Sequence, residues 1–438
     1  MRHLRAEMRH KRYFWGTMNQ SAPGLYSLPH AVFLRRLAGA TRGTSLDARL
    51  GRAAFVALRL VDLLAPDEHT PSPDAFHYQH TATERACRGI PADRPETGHL
   101  IGVVESTADA FHAHDVGLVF PALFAYAHYL EDEMRLEEAL DVLETLERVG
   151  GDAFRAEDRI AARLRLARVL RKVNRFDDAE QAYEEAAALA HGIGDRHSQL
   201  LSSIGRAYAV MGRGNLGTAE QSLRDVLADA AAVGDREAEA LGHQILAVAL
   251  STSGRPSEAI PHEWRAYQLY EDQEARMRTL SDLGVMLLIV GDPDGAERAL
   301  TEIVRRGAAR DVLNNAMIEL MHCASFRRDR VGFERWRERC ETQLGTMPAN
   351  ILTDFYLKAG IGRARFNQFE RAQDLLAKAL RTAGSAGLHE FEFRIERIRA
   401  GLRDCQERCE ATPEKVAEPS SQTRAVREVS ASLAHLET

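Results

Sequence analysis

A small residue, Ala or Gly, returns about every forty positions along this chain: Ala139, Ala179, Ala219, Ala259, Ala296 and Ala372. A second small residue stands twelve places ahead of each: Ala127, Ala167, Ala207, Ala247, Gly284 and Gly360. The first series is spaced 40, 40, 40 and 37, then 76, a gap that two further units of 37 and 39 would fill. Two antiparallel helices need small residues where their backbones approach closely, and a period of this length marks stacked repeat units. The pattern predicts an all-α fold, a right-handed solenoid of about seven to eight helix hairpins with helical caps. It also puts function on an extended surface rather than in a catalytic pocket.

Helical periodicity recurs through the array. Arg159–Val173, Ala179–Ala190 and Arg276–Val290 carry apolar residues at three- and four-residue spacing, and strand signals are absent. Five residues before five of the six Ala of the first series stands Asn174, Gly214, Gly254, Gly291 or Asn367, types that tolerate the left-handed backbone ending a helix. Pro256 and Pro293 follow two of these glycines, where Pro suits the first turn of the next helix. Gly194-Asp195 and Gly234-Asp235 should end one unit and cap the next.

On these residues the chain resembles the tetratricopeptide repeat (TPR) family. The runs Ala207, Val210, Gly214, Ala219, Leu223, Val226 and Gly284, Leu287, Gly291, Ala296, Leu300, Ile303 follow its pattern, and Ala167, Leu170, Asn174, Ala179, Tyr183, Ala186 nearly so. The resemblance covers roughly residues 100 to 385. It implies a variant with longer, forty-residue repeats, a type seen in bacterial signalling and regulatory proteins. Departures are local. The unit around Phe333 has Met321 and Phe333 where small residues belong; Glu263 replaces an apolar residue, and Pro261 falls inside a second helix, where it should kink it.

Around the array, residues 1–45 read as a basic, partly disordered segment, with either Met1 or Met18 as the start. Residues 46–98 read as an irregular cap with helices over Leu46–Leu64 and Asp74–Arg88, 99–385 as the solenoid, and 386–410 as a capping helix. Residues 411–438 read as a polar linker and a short tail with Val426, Val429, Leu433 and Leu436 on one face, able to dock on the solenoid or on a partner.

A net charge of −7 argues against general nucleic-acid binding. Of 57 basic residues only Lys11, Lys172, Lys358, Lys378 and Lys415 are lysines, a skew that fits a GC-rich bacterial genome. Five scattered Cys fit a reduced, cytoplasmic setting better than a disulfide framework. No apolar run is long enough for a membrane span.

Chemical motifs are weak. Gly212-Arg213-Gly214-Asn215-Leu216-Gly217 has the G-x-G-x-x-G form but lies between repeat helices, without the strand its phosphate-binding mechanism requires. Cys405 and Cys409 lack a second ligand pair for zinc, and His112, His114 and Asp115 read as a helix end. No nucleophile or metalloprotease arrangement occurs, so the expectation is no enzyme, no cofactor and no metal.

The resemblance implies that the first helix of each unit lines a groove. Projecting Arg159–Val173 at the helical angle independently separates an apolar arc from a basic stripe of Arg165, Arg168 and Lys172. With them we place Tyr208, Met211, Gln244, Val248, Val285, Asn315 and His322. Such a surface suits a peptide or partner helix with an apolar stripe and an acidic or carboxylate end. The expected role is a non-enzymatic interaction scaffold. The alternative is a ligand- or peptide-sensing regulator, although residues 1–100 offer no helix-turn-helix.

Overall fold

The computed structural model describes residues 28–38, 45–66, 71–409 and 423–437. Among them are twenty α-helices, four short 3-10 turns and no strand. The fold is an α-solenoid of TPR-like helix hairpins, and its contacts divide the chain into two compact units, Met1–Gly212 and Arg213–Thr438.

In the first unit the helices are α1 (Ala31–Ala38), α2 (Leu46–Asp62), α3 (Pro73–Arg88), α4 (Pro95–Ala113), α5 (Phe120–Asp132), α6 (Leu136–Gly150), α7 (Ala156–Lys172), α8 (Phe176–Ile193) and α9 (Arg196–Gly212). The second unit holds α10 (Leu216–Val233), α11 (Arg236–Thr252), α12 (Pro256–Leu269), α13 (Gln273–Ile289), α14 (Pro293–Arg306), α15 (Arg310–Phe326), α16 (Arg330–Glu341), α17 (Ala349–Arg365), α18 (Phe369–Ser385), α19 (His389–Cys409) and α20 (Arg424–Leu433). Hairpins form from α5 with α6, α7 with α8, α11 with α12, α13 with α14, α15 with α16 and α17 with α18.

The small-residue series is the seam of these hairpins. Ala139, Ala179, Ala219, Ala259, Ala296 and Ala372 are all fully buried. At Gly284 a methyl group would stand 2.8 Å from Leu300 Cγ, so the crossing of α13 and α14 leaves no room for it. Asn174, Gly214, Gly254, Gly291 and Asn367 all adopt positive φ, as expected of the turns, and Met134 and Arg328 do so at the corresponding turns of two other units. Those two side chains have no polar group suited to this conformation, which costs about 1–2 kcal/mol each. Gly194 and Gly234 end α8 and α10 in the left-handed form, and Asp195 and Asp235 accept the N–H groups of Ser198 and Ala238.

The degenerate unit is still a hairpin. Met321 and Phe333 are fully buried, and the Phe333 ring fills the space that a Cβ on Gly362 of α17 would need, 2.3 Å away. Bulk has moved from one helix to the next. Helix α12 runs unbroken through Pro261.

Residues 31–38, within the N-terminal segment that sequence reads as partly disordered, form a helix with Phe33 fully buried. Charged contacts hold this end of the first unit: Arg36 reaches Glu96 at 2.8 Å and Glu138 at 2.6 Å, and His30 lies between Asp62 (3.1 Å) and Asp141 (2.5 Å). In the second unit, α20 docks on α12 and α14 with Val426, Val429 and Leu433 buried. Its main contacts are with the second helices of their hairpins, whereas the sequence reading assigns the first helices, α11 and α13, to the groove. A Cβ on Gly295 would lie 2.7 Å from Ser430 Oγ, so that glycine lets the tail approach α14. Arg298 and Arg305 donate to the carbonyl groups of Ser430 and Leu436. Met1, Met18 and the linker 410–422 lie outside the described residues, as do the side chains of Cys405 and Cys409. No described helix is long and apolar enough to cross a membrane.

Candidate functional site on the first helices of the hairpins

In the first unit, Arg165, Arg168 and Lys172 sit at i, i+3 and i+7 of α7, one face of the helix. All three converge on one carboxylate, Glu131 of α5: Arg165 Nη1 at 2.7 Å, Arg168 Nε at 2.6 Å and Lys172 Nζ at 2.6 Å. Glu131 is 1% exposed, whereas Arg168 keeps about half of its side chain open, at 49%. Burial alone would raise the Glu131 carboxyl; the hydrogen bond from Lys172, the charge of Arg168 and the hydrogen bond from Arg165 outweigh it and hold the group at about 2. Three cations against one anion leave two positive charges. A guanidinium carries five N–H donors, so Arg165 and Arg168 retain donors beyond those that Glu131 occupies.

Beside this cluster the guanidinium of Arg171 stacks on Tyr208 of α9, 3.7 Å from the ring centre. Tyr208 is half-buried, while Met211 is buried and offers almost no surface to a ligand.

In the second unit, Gln244, Val248, Val285, Asn315 and His322 are all half-buried on α11, α13 and α15. Gln244 is fixed by its neighbours: Tyr270 Oη donates to its Oε1 at 2.8 Å, and its side chain hydrogen-bonds Asp282. His322 is pushed down to about 2 by burial and by Arg365, Lys358 and Arg394, so its imidazole is neutral at physiological pH. Arg365 lies flat over Phe326, 3.6 Å from the ring centre, and donates to Ser325 Oγ at 2.7 Å. Lys358 contacts Glu319 and, at 2.6 Å, Asp354.

The sequence reading missed Glu131, Lys358 and Arg365. Glu131 stands four places after Ala127, the same offset that picks out Met211 after Ala207. That signal was available. Lys358 and Arg365 belong to α17, one hairpin beyond their partners, and only the fold brings them together.

The weak motifs resolve as structural features. Gly214 is a turn residue between helices, His114 takes the left-handed position ending α4, and Asp115 accepts the Gly117 N–H at 2.9 Å. Among the described residues no group of three or more His, Cys, Asp or Glu could hold a metal ion.

A family model described as tetratricopeptide repeat matches residues 159–191, which span most of α7 and α8. Among solved structures, the apo form of the quorum sensor NprR from B. thuringiensis is similar at 12% identity, with 87% of this chain and 98% of that one covered and a TM-score of 0.51. That likeness is one of fold. Aspartyl phosphate phosphatase F from Bacillus subtilis (11% identity, 78% of this chain and 95% of that one, TM-score 0.45) and a Rap protein complexed with competence and sporulation factor (12%, 83% and 98%, 0.41) are looser, and nothing is argued from them. No curated protein matches the sequence.

Proposed function

We propose that this chain, a protein of tetratricopeptide-repeat type, is a non-enzymatic binder of a peptide or partner helix, and that in its first unit it reads an acidic or carboxylate end with Arg165, Arg168 and Lys172. The observation that carries this reading is the convergence of three cations on the buried Glu131, which leaves them positioned and in excess. A cation held in place before binding loses little rotamer freedom when a ligand arrives. A charge-assisted hydrogen bond from Arg168 to a ligand carboxylate would contribute about 1.5–3 kcal/mol. Tyr208, with Arg171 stacked on it, adds a flat surface for an apolar side chain. In the second unit, Gln244, Val248, Val285, Asn315 and His322 would contribute a less charged stretch of the same kind.

The reading includes a bacterial cytoplasmic setting, supported by the Arg-for-Lys skew and the scattered Cys. A sensing role uses the same residues. The fold shared with a quorum sensor makes it one that this architecture can host, an argument by analogy of fold.

Binding of a random peptide pool, half with free and half with amidated C-termini, to the full chain tests the proposal. The wild type should enrich peptides with acidic or carboxylate ends, and Arg168→Gln with Lys172→Gln should abolish that enrichment. Enrichment unchanged by the double variant, or no enrichment at all, would refute it. Altered amide exchange far from the bound peptide would favour the sensor; exchange altered only at the contact would favour the scaffold.

A further inference from the structure

A cleft of about 680 Å³ opens between α15 and α16, apart from the residues assigned to the peptide. Arg310, Leu313, Asn314 and Met317 form one stripe of α15, and Arg335 and Arg339 project from the facing stripe of α16. Several arginines of the second unit are held by carboxylates. Arg255 has Glu220 and Glu258, Arg327 has Asp294 and Glu297, and Arg337 has Glu334 and Glu341. Arg310, Arg335 and Arg339 have no ion pair among the described residues; Arg335 and Arg339 rest only on the Trp336 ring, at 5.6 and 4.9 Å.

Two further observations point into the same space. Asn314 is 1% exposed and lines the cleft, yet its Nδ2 has no hydrogen-bond partner. A buried amide without an acceptor is costly and calls for an explanation. Helix α15, like α10, α12, α17 and α18, starts without a side-chain cap, and its start at Ala309 lies beside the cleft-lining Ala308 and Arg310. An uncapped helix start attracts anions through its free N–H groups and its dipole.

We propose that this cleft binds a small phosphate monoester. Three guanidinium groups less the carboxylate of Glu338, which also lines the cleft, leave a charge of +2, the complement of a phosphate dianion. Guanidinium forks match phosphate oxygens in pairs, and the Asn314 amide supplies a further donor. Leu313 and Met317 form an apolar wall, so the ester carries an apolar body. The binding is non-covalent.

Titration calorimetry on the full chain at fixed ionic strength, with phenyl phosphate, inorganic phosphate and benzoate as probes, tests the site. Phenyl phosphate should bind once per chain and more tightly than either of the others. Arg339→Gln should weaken it about tenfold or more. Asn314→Leu should weaken it several-fold while leaving the unfolding temperature unchanged or raised, since it removes an unsatisfied buried donor. Arg278→Gln, on an exposed arginine paired with Glu274 away from the cleft, should leave it unaltered. Benzoate binding as well as phenyl phosphate, no saturable heat, loss of binding in Arg278→Gln as large as in Arg339→Gln, or full affinity in Asn314→Leu would each overturn the proposal.

Discussion

Two buried glutamates, one in each unit, have opposite surroundings. Glu131 is 1% exposed and is met by three cations; Glu263, on α12, is fully buried with neither oxygen hydrogen-bonded. The first is held ionised at about 2. The second is raised well above its usual value by burial and, less, by the negative charge of Asp282. Burial opposes charge at both sites, and only partners of opposite sign reverse the outcome. Glu131 takes its partners from α7, the first helix of the next hairpin, so it ties successive units together. Glu263 ties nothing, and its carboxyl occupies a place where the repeat pattern expects an apolar group.

Removing these two carboxylates should move stability in opposite directions. The largest effect should follow Glu131→Leu, which leaves three cations crowded without their anion. A loss of about 2–3 kcal/mol in denaturant unfolding is expected, short of the 3–5 kcal/mol of a fully buried pair because the cations can turn toward water. A neutral result would mean that the cluster ties nothing. Glu263→Leu should instead stabilise the protein at pH 7 by about 1–3 kcal/mol, as an unsatisfied buried group gives way to an apolar one. Destabilisation by that variant would reveal a partner for Glu263.

The pH dependence sharpens the contrast. Glu131 is lowered from an ordinary value of 4.5 to about 2, so the stability it adds is present above 4.5 and lost as pH falls from 4.5 toward 2. Glu263 is raised above 4.5, so its favourable contribution is present below 4.5 and lost as pH rises past it. The deficit of Glu131→Gln relative to wild type should therefore narrow below pH 4.5, and the advantage of Glu263→Gln should widen from pH 4 to pH 7. Parallel curves for both would contradict the two assignments. The smallest change in the global unfolding midpoint, about 1 kcal/mol or less, is expected of Leu433→Asp, because α20 can undock by itself. Its signature should be lost amide protection over residues 424–433, and retained protection would mean that Leu433 does not hold the tail.

The hairpins were legible because their signal repeats: a small residue where helices cross and a Gly or Asn where the chain turns, at constant offsets. Phe333 broke the pattern without breaking the hairpin, since its bulk is absorbed by Gly362 of the next helix, a pairing with no fixed spacing in sequence. The cation stripe was legible as a helical face, but its neutralising partner is 34 to 41 residues upstream and was not sought at the repeat offset. The seat of α20 was not legible. An amphipathic face on Val426, Val429 and Leu433 says that something covers it, and only packing shows that α12 and α14 do. Nor was the α15–α16 cleft, because an arginine without a partner looks in sequence like any other arginine.

Matched peptides that differ only in a C-terminal carboxylate or amide, chosen from those the chain binds best, test the central claim about the first unit most directly. Their dissociation constants for wild type and Arg168→Gln should show the carboxylate form favoured about tenfold or more by the wild type, and the preference largely erased in the variant. Equal affinity for the two forms, or a preference that survives Arg168→Gln, would contradict the account.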